Sequence, residues 1–177
     1  SIIDRQHDLD LFPDVNFGDR GVRLADMTGD GLQDIVLVRS GDASYWPNLG
    51  DGRFGARVLL DAPPAFPSNY REERLLLLDV DGDGCADLVY CGDDGTTIWL
   101  NRSGTGFGTA IELPVVIARR GTPPIALDIF GDGVTNLVWE EPSAATDAAG
   151  AAALRFDGGA KPYLLTSIDN GMGGVTT

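Results

Sequence analysis

The chain has 177 residues, 43% of them hydrophobic, and a mean hydropathy of −0.03, which indicate a soluble, globular fold with a sizeable core rather than disorder. Its 27 acidic and 13 basic residues give a formal net charge of −14, which argues against binding to nucleic acid or to anionic membrane surfaces, because both need clustered lysine and arginine. No apolar run approaches the ~18 residues of a membrane span, so no membrane insertion by this segment is expected, and the acidity suits hard cations that take oxygen ligands.

Residues 1–20 are predicted to form a leader or linker without regular structure. This stretch contains His7, the only histidine of the chain, and it lacks the basic and apolar regions of a signal peptide. We therefore expect the chain to be an internal piece of a larger protein.

One Asp-rich stretch then occurs three times, and its spacing divides the chain into repeating units. The leading acids Asp26, Asp79 and Asp128 lie 53 and 49 residues apart. Trp46 and Trp99 each follow a leading acid by 20 residues, and each is followed by Asn two residues on and by Phe-Gly eight residues on. The repeat predicts a first unit at 21–70, a second at 71–120, a third and degenerate unit at 121–168, and a tail at 169–177 that leads into a further element.

The second unit shows the local pattern most clearly, with four predicted strands linked by tight turns. No segment has a convincing 3.6-residue apolar period. The strands are predicted at 74–78, 86–91, 96–101 and 107–114. Four antiparallel strands that repeat every ~50 residues are typical of a β-propeller blade, which buries its faces only against neighbouring blades.

In the third unit the tryptophan motif has decayed, and residues 154–165 occupy its place. Trp139 is not the equivalent of Trp46 and Trp99, because it stands at a different offset from its leading acid. The Ala-rich stretch 143–154 contains a glycine and lacks apolar periodicity, so we predict an elongated hairpin loop there.

The predicted fold class is therefore all-β, a β-propeller segment of about three four-stranded blades. Propellers typically close with about four to eight blades. Three blades must either belong to a larger ring or associate with other chains to complete one.

The Asp-rich stretch of the second unit has the spacing of the opening positions of a calcium loop. Counting from Asp79 as position 1, Asp81, Asp83 and Asp87 stand at positions 3, 5 and 9 and supply carboxylates. The backbone carbonyl of Cys85 at position 7 supplies another oxygen, and a glycine at position 6 permits the sharp turn. Position 12 is tyrosine rather than the glutamate of an EF-hand, and the flanks are strands. The sequence thus predicts a Ca²⁺ site in a β-hairpin loop.

The other two loops follow the same numbering with fewer charged ligands, so we expect weaker sites there, the third weakest because Phe130 stands at position 3. The alternative is that Asp and Gly only form Asx-turns between strands, which explains one or two acids per loop. The predicted ligands are Asp26, Thr28, Asp30, Leu32 (carbonyl) and Asp34 in the first loop, and Asp128, Asp132 and Asn136 in the third.

Each of the remaining candidate side chains can be explained by a structural role as well as by a functional one. Cys85 and Cys91 flank a predicted strand, so we expect free thiols. Trp46 and Trp99 either pack between sheets, the commoner case, or line a sugar-binding pocket. Residues 101–103 match a glycosylation sequon but lie in a turn, where Asn is expected anyway. The sequence contains no recognisable pair of a nucleophile and a general base, so we expect no catalysis.

The chain resembles the FG-GAP/VCBS repeat family, whose blades carry Asp-x-Asp-x-Asp-Gly loops followed by Phe-Gly turns. Between about residues 20 and 177 it also looks like the β-propeller region of the B component of bacterial insecticidal toxin complexes and of related plasmid virulence proteins. The segments that carry this resemblance are VRLADMTGDGLQDIVLV, YWPNLGDGRFGARV, LLLLDVDGDGCADLVY and IDNGMGGVTT.

The resemblance implies a propeller within a large, secreted, extracellular toxin component. In that family the propeller closes a hollow shell formed by the B and C components and docks on the A component, so that it acts as gate and adaptor. The Asp loops of the first two units match the family pattern, and Phe130 departs from it.

We therefore expect a non-catalytic, calcium-binding β-propeller module with a structural and protein-interaction role in a large toxin-like protein. Its partners would be other subunits or domains of a toxin complex, or further copies of the chain that complete the ring. The alternative is a carbohydrate-binding, lectin-like propeller with Trp46 or Trp99 as the platform for a glycan. An enzyme built on the same fold would need acids that converge in one cleft.

Overall fold

The computed structural model describes residues 12–115, 117, 124–131, 135–142, 149–156, 168–169 and 175–176. Across these residues the chain is all-β, with antiparallel sheets, no α-helix and one short 3₁₀ turn at Glu72–Arg74. His7 and Asp132 lie outside the described residues. No helix among the described residues is long and apolar enough to cross a membrane.

The first two units each form a four-stranded antiparallel sheet whose strands neighbour one another in chain order. The four strands predicted for the second unit are confirmed, with somewhat shorter bounds, because short apolar runs alternate with Gly-rich turns. The first sheet contains β1 (Val22–Ala25), β2 (Asp34–Arg39), β3 (Asp42–Trp46) and β4 (Val58–Leu59), and the second contains β5 (Leu75–Leu78), β6 (Asp87–Cys91), β7 (Thr96–Trp99) and β8 (Ile111–Leu113).

The third unit contributes three strands among the described residues, β9 (Ile125–Leu127), β10 (Asn136–Pro142) and β11 (Ala149–Leu154), paired in that order. The predicted loop at 143–154 is wrong for its second half, which forms β11; residues 143–148 lie outside the described residues. Pairing with the long strand β10 overrides the poor strand propensity of alanine and glycine. A short hairpin of β12 (Ile168–Asp169) and β13 (Val175–Thr176) follows.

Strand register shows which residues of the three units are equivalent. Trp46 stands opposite Ile35, Trp99 opposite Leu88, and Leu154 opposite Leu137. Leu154 therefore takes the place of the repeated tryptophan, as the decay of that motif predicted.

Two hydrophobic cores lie between successive units. The second sheet contributes Leu88 and Trp99 to the core shared with the first unit, and Val89 and Ile98 to the core shared with the third. Because side chains alternate between the faces of a strand, consecutive residues enter different cores. The units thus stack in series and bury their faces against one another, which confirms the propeller-type fold.

On the far face of the third sheet, which no described unit covers, apolar side chains are exposed to solvent. Leu127 and Leu78 hold equivalent positions, yet Leu127 is 43% exposed and Leu78 only 8%. Ile125 on the same face is 66% exposed. Among the described residues nothing covers this face as the third unit covers the second.

Shortening a side chain in the core between the first two units should destabilise both. Leu88→Ala removes a fully buried side chain and should lower the free energy of unfolding by about 2–5 kcal/mol. Leu49→Ala, at a site that is 57% exposed, should change it by less than about 0.5 kcal/mol. Urea unfolding measures both, and equal losses would contradict a shared core.

Candidate metal centre

The three Asp loops connect the first and second strands of their units. Each reverses the chain through glycines with positive φ, for example 85° at Gly31 and 92° at Gly84, which both hold position 6. This backbone conformation is costly for residues with a Cβ atom. The predicted role of the glycine at position 6 is therefore confirmed.

In each loop, backbone N–H groups of the same turn donate hydrogen bonds to the carboxylate of the leading Asp. Asx-turns of this kind are what the alternative without metal requires. In chain order the distances are 2.8 and 2.7 Å from Gly29 and Gly31 to Asp26, 2.7 and 3.0 Å from Gly82 and Gly84 to Asp79, and 2.7 Å from Gly131 to Asp128.

The carboxylate at position 9 is fully buried in the first two loops. Asp87 accepts hydrogen bonds from the N–H groups of Val80 at 2.9 Å and Asn101 at 2.7 Å. Asp34 accepts the equivalent bonds from Met27 at 2.9 Å and Asn48 at 2.8 Å. Each of these carboxylates therefore ties the start of its loop to the end of the third strand.

The second loop brings three acidic side chains together. Oxygen atoms of Asp79, Asp81 and Asp87 lie within 4.8 Å of one another, and among the described residues this is the one group of its kind. Asp83 is outside the group, and its carboxylate accepts the N–H of Cys85 at 2.7 Å. Burial raises the pKa of Asp81, and the neighbouring carboxylates raise it further. Burial raises the pKa of Asp87 to about 7. Like charges held this close favour either a proton or a cation between them.

The first loop is built similarly but with less charge. Asp30 accepts the N–H of Leu32 at 2.9 Å. The hydroxyl oxygen of Thr28, the predicted neutral ligand at position 3, is buried without a hydrogen-bond partner. A buried hydroxyl without a partner is costly, so a ligand for this oxygen would stabilise the loop.

The third loop departs from the pattern in the structure as in the sequence. Phe130 at position 3 is 57% exposed, and the guanidinium of Arg155 lies 4.3 Å from its ring centroid. Asn136 at position 9 is fully buried. Asp128 is exposed, and the predicted ligand Asp132 lies outside the described residues. Position 3 of this loop therefore carries a cation–π contact in place of the oxygen predicted to be a ligand in the other loops.

Asn101 is a structural residue that the sequence did not single out for this role. Its side-chain amide donates to the carbonyl oxygen of Ala86 at 3.1 Å and to that of Met27, in the first unit, at 2.9 Å. It is 5% exposed, so the sequon at 101–103 holds a buried asparagine. Asn48 makes the equivalent bond within its own unit, to Gln33 at 3.0 Å, and none across a unit boundary among the described residues. The recurrence of Asn two residues after the tryptophan was the available signal.

The seam between the first and second units runs directly past both loops. The N–H of Ala86 donates to the carbonyl oxygen of Asp26 at 2.7 Å. The buried thiol of Cys85 lies against Gly29, 3.2 Å from where a Cβ atom there would stand. Cys85 and Cys91 are both free, as predicted, and burial raises the pKa of each thiol to about 11.

The tryptophans are less open than a sugar platform requires. Trp99 is 8% exposed and meets the ring of Phe66 edge to face, with centroids 5.7 Å apart. Trp46 is half-buried, and the guanidinium of Arg57 lies 5.4 Å from its centroid. These contacts favour packing over glycan stacking for both residues.

Comparison with known proteins gives the chain a family resemblance. Residues 79–139 match the family model described as an FG-GAP-like repeat, so the chain carries this repeat, as predicted. The Tc holotoxin pore of Photorhabdus luminescens is 29% identical over 90% of this chain and 7% of its own, with a TM-score of 0.71. The TcdB2–TccC3 complex without its hypervariable C-terminal region is 28% identical over 89% of this chain and 7% of its own, also with a TM-score of 0.71.

A lectin of Agrocybe aegerita that recognises N-acetylglucosamine is 23% identical over 77% of this chain and 38% of its own, with a TM-score of 0.55, and it shares the fold alone. No curated protein sequence shows significant similarity to the chain. The chain spans about 7% of the toxin chains that it resembles.

Removing the amide of Asn101 should weaken the seam between the units. Asn101→Ala leaves two backbone carbonyl oxygens without their donor and should lower the free energy of unfolding by about 1–3 kcal/mol. Asn48→Ala is the matched control and should cost less, because its bond lies in an exposed position. Thermal unfolding of both variants measures the difference in stability. A larger loss of stability for Asn48→Ala would contradict the role of Asn101 in joining the two units.

Proposed function

We propose that the chain is a non-catalytic β-propeller segment that binds Ca²⁺ in its Asp loops and serves as a structural and interaction part of a secreted, toxin-like protein. The observation that carries the proposal is the group of Asp79, Asp81 and Asp87 within an FG-GAP-like repeat. The similarity to TcdB2–TccC3 supports the larger context.

The donor set of the second loop fits calcium. Three carboxylates that converge within 4.8 Å offer hard oxygen ligands, and Ca²⁺ takes about 6–8 of these at about 2.3–2.6 Å. Asp83 and the carbonyl of Cys85 are the remaining ligands that the loop would contribute. A bound divalent ion would turn the repulsion among these carboxylates into attraction. The proposed order of affinity remains second loop, first loop, third loop.

The proposed role of the metal is mechanical. The loop lies beside the seam between the first two units, where the backbone of Ala86 meets that of Asp26. Fixing several oxygens of this loop to one ion would fix the angle at which two strands leave it. The stacking of the second unit on the first would then become more rigid.

The interaction role is proposed from the exposed sheet face and from the similar proteins. Solved structures similar to this chain are components of multi-subunit Tc toxins, which suggests other subunits or domains of such a complex as partners. Within such an assembly the segment would help to form a gate or adaptor. The toxin chains it resembles are much longer, and the exposed face around Ile125 is suited to a further unit.

Calcium should raise the melting temperature of the chain, and EDTA should lower it again. At free calcium about a hundredfold above Kd the stabilisation is about 2.7 kcal/mol. Asp81→Asn should remove most of the calcium response, because it deletes one of the three converging carboxylates. Asp51→Asn, whose side chain is 93% exposed, should leave the response intact. An identical melting curve with calcium and with EDTA would reject the metal proposal.

The chain alone should associate with itself, head to tail, because the exposed face of one copy can cover the first unit of the next. Ile125→Lys should reduce this association by placing a charge on a face where Ile125 is 66% exposed. Ile111→Lys, on the second sheet at a site that is 44% exposed, is the control. Sedimentation velocity at increasing concentration measures both, and a monomer at every concentration would contradict the prediction.

A further inference from the structure

A cleft of about 690 Å³ lies beside the second sheet, away from the Asp loops. One wall is the connecting segment around Phe66, and the other is formed by β7 and β8. The turn at 92–95 closes one end. Trp99 is among the residues that line this cleft, whereas none of the predicted calcium ligands is.

Strand register identifies the side chains that point into the cleft. Tyr90 stands opposite Thr97, and Thr97 opposite Glu112, so these three form one row across β6, β7 and β8. Directly paired residues share a face of the sheet. Glu112 and Thr97 therefore project on the same side as Tyr90, which faces the first unit.

The base of the cleft is a packed aromatic group. Phe66 stacks on Tyr70 with centroids 4.2 Å apart and approaches Tyr90 at 5.8 Å. Tyr90 is 3% exposed. Phe66 and Tyr70 thus cover one face of each other's ring, and Trp99, which also lines the cleft, meets Phe66 edge to face.

The charge of the cleft is wholly negative. Asp93, Asp94 and Glu112 line it, and none of its described lining residues is basic. Arg74 forms an ion pair with Asp93 from outside the lining and lowers the pKa of that carboxyl group. Asp94 and Glu112 are exposed and form no ion pair among the described residues. Two carboxylates are thus available to a cationic ligand.

Strand β8 adds a second recognition element. It is the last strand of its sheet and pairs only with β7 among the described residues. A strand with one open edge can accept an extended segment of another chain through backbone hydrogen bonds. Such a segment would run beside Glu112 and place its side chains over the cleft.

We propose that this cleft binds an extended segment of a partner protein that carries arginine or lysine side chains, with its backbone along β8 and its cations at Asp94 and Glu112. The inference names a partner chemistry for the proposed interaction role. It does not depend on metal binding, because no predicted calcium ligand lines the cleft.

The test uses the 177-residue chain, at a concentration where it sediments as one species, and the fluorescent peptide Thr-Arg-Thr-Arg-Thr. Fluorescence anisotropy should detect binding that weakens with salt. Asp94→Asn combined with Glu112→Gln should weaken it by about fivefold or more, as expected for two partly exposed ion pairs. Asp14→Asn combined with Asp51→Asn makes the same change in net charge at exposed sites elsewhere and should leave the affinity within about twofold.

A second peptide separates specific from general attraction. Replacing both arginines by citrulline keeps the shape, removes the charge and should abolish binding. Equal weakening by the two double variants, equal binding of the citrulline peptide, or binding of N-acetylglucosamine oligomers that displaces the arginine peptide would each overturn the inference. EDTA should not change the affinity, so failure of the calcium proposal and failure of this one give different results.

Discussion

The buried carboxylate at position 9 is the constraint on which the first two units depend. Taking a charged group out of water is costly unless hydrogen bonds replace the water. Asp87 receives two, from Val80 and from Asn101, and Asp34 receives the equivalent two. One donor belongs to the loop and the other follows the third strand. The carboxylate therefore ties the loop, the first hairpin and the exit of the third strand together. In its ionised form it accepts charge-assisted hydrogen bonds, which are among the strong ones.

The consequences of that lock reach the neighbouring unit. Because Asp87 fixes the backbone of Asn101, the amide of Asn101 can reach the carbonyl oxygen of Met27 across the seam. The approach there is tight: a Cβ atom at Gly104, where φ is 74°, would lie 2.6 Å from the hydroxyl oxygen of Tyr45. Only glycine fits at such a point. The conformation of the loop and the stacking of the two units are thus coupled, and an ion bound in the loop would affect both.

The sequence predicted the repeat, the strands of the second unit and the decay of the tryptophan motif, because these depend on local periodicity and on turn residues. It did not predict β11, whose alanines acquire a strand conformation only by pairing with β10. It showed that Asn101 recurs two residues after the tryptophan, but it did not show the contact that Asn101 makes. The bond from Asn101 to Met27 joins residues 74 positions apart, and no local pattern reports a contact of that range. Likewise the cleft beside β8 depends on how a connecting segment folds back over the sheet.

The third unit departs from the other two at three positions of the repeat. Asn136 replaces the buried carboxylate, Phe130 replaces the predicted oxygen ligand at position 3, and Leu154 replaces the tryptophan. With less acid in the loop there is less repulsion to offset, and the guanidinium of Arg155 supplies a positive charge against Phe130 from within the chain. Among the described residues, the far face of the same unit is exposed at Ile125 and Leu127.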